Sequence, residues 1–294
     1  MSVLQVEGKN VSVSNLDKLF WSELNLTKGD MIDYYIRISP YLLPYIKGRP
    51  FSMKPYPQGI SGESFYQKEC PREAPPWLSR TPIPSKRKGV VNWCVINDLP
   101  SLIWIANRAC IEMHTWFSRL PHLDKPPVAV IDLDPSGNTG FRQAAETALL
   151  YKPILDQLGL QSFPKTSGAT GIHIYIPIAP KYSFDQVRQF LAQLNPLVVE
   201  ARPDLTTTER RVNQRGDRIY LDTAQNGSNK TIPAPYSLRP TAQATVSTPL
   251  TWSEVANPQL MPEDFTFQNI FQRLDELGDL FRPVLELEQK LPVL

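Results

Sequence analysis

Two aspartates, Asp132 and Asp134, close a run of apolar residues in VAVIDLDP, 128–135. In a strand, side chains at i and i+2 point to the same face, so these two carboxylates are expected to stand side by side. Like charges so placed repel, and removing them from water is costly unless a cation accompanies them. Carboxylate oxygens suit a hard divalent ion, Mg2+ or Mn2+. The same residues also read as a strand-end turn, with Asp and Pro135 as its punctuation.

Two later stretches extend the chemistry. In Ser167-Gly168-Ala169-Thr170-Gly171-Ile172-His173, two glycines let the backbone approach an anion and aim N–H groups at phosphate. His173 opens the apolar strand beyond, placed either to donate to a phosphate oxygen or to hydrogen-bond within the core. Next comes Asp222-Thr223-Ala224-Gln225-Asn226, followed by Lys230, Ser237 and Arg239. A third strand-end carboxylate would complete a two-metal site, and Lys230 and Arg239 could neutralise a triphosphate. An ordinary solvated loop would carry the same charges.

These residues need elements to hold them. Thr27 is a candidate N-cap for a helix over 27–47, with Met31, Tyr34, Tyr35 and Ile38 at helical spacing and Pro40 expected to bend or end it. Residues 79–90 read as an exposed basic loop, and 98–118 as a helix with Leu102, Ile105, Ala106, Ala109 and Met113 on one face. Residues 128–135 and 218–226 read as strands, 163–178 as two strands joined by the glycine turn, and 140–158 as a helix ending at Gly159. The tail, 262–290, reads as mostly helical and charged. Interleaved strands and helices predict an α/β or α+β fold, with antiparallel pairing where connections are short.

Composition narrows the class. The chain has 294 residues, 41% of them hydrophobic, enough for one large domain or two closely packed ones. No apolar run is long enough to span a membrane. The opening MSVLQVEGKN lacks a basic-then-apolar leader, so cytoplasmic residence is expected. Cys70, Cys94 and Cys110 include no close pair, which argues against a zinc ribbon or a CxxC. An odd number argues against a disulfide framework. The net charge of +2 decides nothing about nucleic acid, where distribution matters more than the total.

The three motifs, in this order, resemble those of the archaeo-eukaryotic primase superfamily: DLD, SGxxGxH and a later strand-borne Asp. The chain is similar to the polymerase domain of bacterial ligase D from VSVSNLDKLFW to TWSEV, including RPFSMKPYP, SFYQKECP, APPWL and KTIPAPYSLRP. No adenylation-domain lysine motif and no nuclease motif is visible, so a free-standing polymerase or an excised domain is expected. The resemblance implies a single primase-polymerase catalytic domain over 1–294, with central mixed and antiparallel sheets forming a cleft flanked by helices. Within it, 1–125 would contact DNA ends and the base, 126–250 would carry the catalytic motifs, and 251–294 would be a helical C-terminal segment.

By the same resemblance, Asp132, Asp134 and Asp222 bind two divalent ions, Mn2+ or Mg2+. A primer 3′-hydroxyl attacks the α-phosphate of an NTP or dNTP, and ribonucleotides are used at least as well as deoxynucleotides. Ser167, His173, Lys230, Ser237 and Arg239 match positions on the triphosphate side, and Lys54 a nucleotide contact. Phe65, with Tyr66 beside it, matches a base-stacking aromatic; by residue type alone Phe65 reads as a core aromatic. Arg215 and Gln225 match positions near the primer terminus and the metals. Asn15, Lys18 and Lys28 match a pocket for the 5′-phosphate of a gap, and the N–H groups at the start of the helix are expected to favour an anion there. Lys86, Arg87 and Lys88 fall where the family has a DNA-contacting hairpin.

The implied partners are gapped or broken DNA, nucleotides, a Ku-type protein and a DNA ligase, with no membrane. The implied place is the bacterial cytoplasm at the nucleoid, and the role is gap filling and end extension in non-homologous end joining. Other readings are a primase that starts chains without a primer, a DNA-end-binding module, and a metal phosphoesterase. The last would leave Lys54, Phe65 and Arg239 unexplained.

Overall fold

In the computed structural model the described residues are 2–85 and 89–292, so Lys86, Arg87 and Lys88 lie outside them. The chain forms two compact units, Met1–Leu120 with Thr231–Thr245, and Pro121–Lys230 with Val246–Leu294. Among the described residues no helix is long and apolar enough to cross a membrane.

The first unit opens with two antiparallel pairs, β1 (Ser2–Val6) with β2 (Lys9–Val13) and β3 (Leu19–Trp21) with β4 (Leu26–Thr27). Helix α1 (Lys28–Ile46) follows, capped by Thr27, whose hydroxyl accepts from Asp30 N while the Asp30 carboxylate accepts from Thr27 N. The helix does not end at Pro40; it continues past Pro40 and Pro44. Proline cannot donate to the carbonyl one turn back. Ser39 Oγ supplies that missing bond to Ile36 O at 2.8 Å.

The unit's sheet runs β14–β8–β5–β7–β6, antiparallel throughout, from β5 (Pro50–Ser52), β6 (Arg80–Ser85), β7 (Gly89–Val95), β8 (His114–Trp116) and β14 (Thr231–Pro233). The stretch expected as a basic loop is thus largely β6 and the start of β7. Buried Thr81 and Ile83 alternate with exposed Arg80 and Pro82, a period-two pattern. The prolines are tolerated because β6 is an edge strand. Helix α2 (Leu99–Asn107) is capped by Asp98, which accepts from Ser101 N at 2.9 Å. It stops well short of the expected 118: Ala109 adopts a φ of 64°, and 114–116 is strand. Of the expected face, Leu102, Ile105 and Ala106 lie on α2, whereas Ala109 and Met113 are buried beyond its end.

Cys70 and Cys94 form a disulfide, Cα atoms 5.0 Å apart, against the expectation from their spacing. Cys70 N donates to Asn92 O at 2.7 Å, which lays this segment along β7. Sequence distance is blind to that pairing.

In the second unit the sheet runs β10–β11–β9–β13–β12, from β9 (Val128–Asp134), β10 (Phe163–Thr166), β11 (Ile172–Pro177), β12 (Thr206–Thr207) and β13 (Ile219–Asp222). Its pairs are antiparallel except β12 with β13. Helices α3 (Phe141–Gln157) and α4 (Phe184–Ala201) pack in one core with Ile131, Leu133, Ile172, Ile174, Ile219 and Leu221. The tail is helical only in part: α5 (Trp252–Val255), α6 (Ile270–Leu277) and α7 (Pro283–Glu286), with a 3-10 turn at Pro262–Asp264. The mixed α/β architecture with antiparallel sheets is the one expected.

Candidate active site and phosphate pocket

Strand register assembles the acidic face of the second unit. Leu133 and Ile131 turn into the core, so Asp132 and Asp134 share the opposite face. Asp132 is paired across the sheet with His173 on β11 and with Asp222 on β13, and His173 in turn with Lys165 on β10. Directly opposed residues carry their side chains to the same side. One row therefore runs Lys165, His173, Asp132, Asp222, with Asp134 two residues along. One carboxylate oxygen from each of Asp132, Asp134 and Asp222 lies within 4.8 Å of the others, a grouping that fits a metal ion. Burial, then the charges of Asp132 and Asp222, push the Asp134 carboxyl up to about 7, against a smaller opposing effect of Arg215. His173 Nε2 lies 3.3 Å from Asp132 Oδ1. Lys165, which belongs to none of the sequence motifs, is fully buried on this row, and its ammonium bonds the Ser247 hydroxyl.

The glycine turn differs from its expected use. Gly168 N donates to Thr166 Oγ1 at 2.7 Å, and Ala169 N and Gly171 N both donate to Ser167 Oγ at 3.1 Å. These N–H groups are engaged within the turn rather than aimed at an anion. Gly168 takes a left-handed φ of 76°. A Cβ on Gly171 would sit 2.7 Å from Leu133 O, so the second glycine permits close approach to the aspartate strand.

Beyond β13, Asp222 Oδ1 accepts from Ala224 N at 2.8 Å and Gln225 N at 3.2 Å. Asn226, which the sequence reading did not single out, anchors this loop to β9. Its Oδ1 accepts from Val130 N at 2.9 Å, and its Nδ2 donates to Val130 O at 2.6 Å. Arg215 lies 3.7 Å above the Tyr220 ring, and Lys230 is exposed.

In the first unit, Glu112 is the centre of a second cluster and was also missed. Its buried carboxylate lies 2.8 Å from Lys54 Nζ, 2.9 Å from Arg239 Nε, 3.3 Å from His114 Nε2 and 2.6 Å from Tyr56 Oη. Burial alone would raise this carboxyl. The surrounding His114, Arg239 and Lys54 outweigh it and hold the group well below the usual carboxylate range. Tyr66 stands edge-on to His114, with ring centroids 5.8 Å apart. Ser237 is fully buried; its hydroxyl accepts from Met113 N at 2.8 Å and donates to Leu238 O at 3.0 Å. The hydroxyl thereby ties the backbone next to Glu112.

Asn15, Lys18 and Lys28 come together in one cavity of about 310 Å³, also lined by Phe65, Asn107 and Arg108. Phe65 is 53% exposed and is no core aromatic. Lys28 Nζ donates to Ser14 O and Asn107 Oδ1, both at 2.7 Å; Lys18 Nζ donates to Pro57 O and Gln58 Oε1, both at 2.7 Å. Burial, then the charges of Arg108 and Lys18, bring the Lys28 ammonium down to about 8. The expected contribution of free helix-start N–H groups is absent. Lys28 N and Gly29 N donate to Lys18 O and Leu16 O, each at 2.8 Å, and Asp30 N to Thr27 Oγ1 at 3.1 Å.

Residues 27–281 match the family described as LigD, primase-polymerase domain. The chain is 34% identical over 278 residues to the multifunctional non-homologous end joining protein LigD of Mycolicibacterium smegmatis, covering 94% of this chain and 36% of that protein. It is 36% identical over 266 residues to the bifunctional non-homologous end joining protein LigD of Bacillus subtilis, covering 90% of this chain and 42% of the relative. The chain thus spans well under half the length of these relatives. Among solved structures, the polymerase domain from Mycobacterium tuberculosis ligase D in complex with DNA superposes with a TM-score of 0.87 at 31% identity. That match covers 95% of this chain and 99% of the other.

Proposed function

The chain belongs to the LigD primase-polymerase domain family, and from that premise we propose that it is a template-dependent nucleotidyltransferase acting at gaps and ends in DNA. The observation that carries the proposal is the cross-strand row that gathers Asp132, Asp134 and Asp222. Three carboxylates within reach of one another, one of them raised to about 7 by burial and then by the other two, fit hard divalent cations. These three would hold two Mg2+ or Mn2+ ions. Held there, such ions would supply acidification of the primer 3′-hydroxyl and charge stabilisation for an in-line displacement.

The chain's own residues bind and orient. In the second unit, Ser167, His173 and Lys230 are assigned to the triphosphate, with Arg215 and Gln225 beside the acids. In the first unit, Lys54 and Arg239 are assigned to the nucleotide, and Phe65 and Tyr66, both exposed, to stacking on bases. Asn15, Lys18 and Lys28 are assigned to a terminal 5′-phosphate, a reading supported by their meeting in one cation-lined cavity. Residues 1–294 would act as one catalytic domain in non-homologous end joining, alongside a Ku-type protein and a DNA ligase. Ribonucleotides would be used at least as well as deoxynucleotides.

The test is extension of a primer across a short gap with a downstream 5′-phosphate, using each ribo- and deoxynucleotide with Mg2+ or Mn2+. Templated addition with release of pyrophosphate is expected. Hydrolysis without addition would establish a phosphoesterase instead, and equal efficiency without a primer would favour a primase.

A further inference from the structure

The phosphate cavity contains a residue that neither the motifs nor the family resemblance singled out. Asn107, the last residue of α2, makes three bonds. Its Oδ1 accepts from Lys28 Nζ at 2.7 Å and from Ser14 N at 3.0 Å, and its Nδ2 donates to Ser12 O at 3.1 Å. One side chain thus fixes the lysine ammonium and the backbone turn that leads into Asn15. That turn needs holding, because Asn15 itself sits at a φ of 54°.

The chemistry of the anchor matters as much as its reach. Lys18, Lys28 and Arg108 line the cavity, and no acidic residue among those described does so. Arg108 is paired outward, 2.9 Å from Glu73. A carboxylate at position 107 would hold the ammonium equally well but cancel its charge. An amide oxygen orients Lys28 and leaves the positive charge for a ligand. The bonds to Ser14 O and Asn107 Oδ1 use two of the three ammonium hydrogens.

We infer that Asn107 is a positioning residue for recognition of a terminal phosphate, a neutral clamp that aims Lys28 without neutralising it. This inference rests on the 5′-phosphate reading of the cavity. A merely structural role makes a different prediction. Asn107→Asp keeps both acceptor bonds but loses the Nδ2 bond to Ser12 O, so a residue needed only to tie the turn would lower the melting temperature and weaken both duplexes alike.

The experiment uses two gapped duplexes that differ only in the downstream 5′-phosphate, with wild type, Asn107→Asp and Asn107→Ala. Affinity for each duplex, KM and kcat for nucleotide addition, and the melting temperature are measured. Wild type is expected to prefer the phosphorylated duplex by tenfold or more. Asn107→Asp should bring that ratio to within twofold of unity, raising KM for the phosphorylated duplex while kcat at saturating DNA moves less than twofold. Asn107→Ala should lower the ratio at least threefold, and it decides the matter if the Asp variant does not fold. A wild-type ratio retained in the folded variants overturns the clamp and leaves the 5′-phosphate reading standing. A wild type that does not discriminate overturns both.

Discussion

The acidic row of the second unit and the cationic cavity of the first are electrostatic opposites built on the same plan. In one, burial and then like charges push the Asp134 carboxyl up to about 7; in the other, burial and then like charges bring the Lys28 ammonium down to about 8. In each, burial acts first and neighbours of the same sign add to it. The Glu112 cluster is the instructive contrast. There a buried carboxylate is surrounded by Lys54, His114 and Arg239, and it stays ionised well below its usual range. Charge balanced within the protein holds side chains in place. On the function proposed above, like charge gathered without a counter-charge serves a ligand of opposite sign, a divalent cation at the acids and a phosphate at the lysines.

The comparison is broken most severely at the acids. Asp132→Ala is expected to reduce nucleotide addition by several orders of magnitude, because it removes both a proposed metal ligand and the centre of the cross-strand row. The fold should persist, since Asp132 sits on the face away from the core cluster. Single-turnover extension with Mn2+, with circular dichroism as a fold control, measures this. Wild-type rates in the variant would remove the metal assignment.

A smaller effect sharpens the other half. The Lys28 ammonium feels the charges of Arg108, itself paired with Glu73, and of Lys18, and it is charged below about pH 8. A terminal phosphate carries its second charge above about pH 6. The affinity ratio between phosphorylated and unphosphorylated gapped duplexes should therefore be greatest between about 6 and 8. The sign follows from the direction of the shift: a lowered amine pKa means the charge is lost as pH rises through the folded value. By pH 9 the ratio should fall by up to about tenfold, one pH unit past a single titrating group. A ratio flat from pH 7 to 9.5 would show that Lys28 does not carry the recognition.

How much of this was legible in the sequence follows from how each site is built. The acidic face rests on strand period: Asp132 and Asp134 share a side by their spacing alone, and a third strand-borne Asp followed in order. What the sequence could not show was register, which aligns Asp222 and His173 with Asp132 and brings in Lys165, a residue with no motif of its own. The cavity depends on no period. Lys28 and Asn107 meet because α1 and α2 both pack in the first unit, and the resemblance supplied only the residues with a family role. Glu112 escaped because the stretch around it was taken for helix. The glycine turn was found for a partly mistaken reason: its N–H groups serve the turn itself, and Gly171 serves strand proximity.

The smallest expected effect tests the idea of gathered like charge without any activity measurement. In the metal-free protein Asp134 ionises at a cost, imposed first by burial and then by Asp132 and Asp222. A carboxyl whose folded value is raised stabilises the fold fully below its unfolded value near 4, and that stabilisation is lost as pH rises toward 7. Asp134→Asn keeps the shape and removes the ionisation. It should therefore leave stability nearly unchanged at pH 4 and raise it at pH 8 by about 1–2 kcal/mol, a few degrees in melting temperature for a chain of this size. Saturating Mn2+ should reverse the order, because the wild type alone then gains the full free energy of binding to the native state. Chelator-treated wild type and variant, melted at both pH values with and without the metal, give the four comparisons. If the variant is no more stable than wild type at pH 8 without metal, burial and the neighbouring acids do not oppose the ionisation of Asp134. The likeness between the acidic row and the cationic cavity would then fail on the acidic side, while the pH test of Lys28 would still stand on its own.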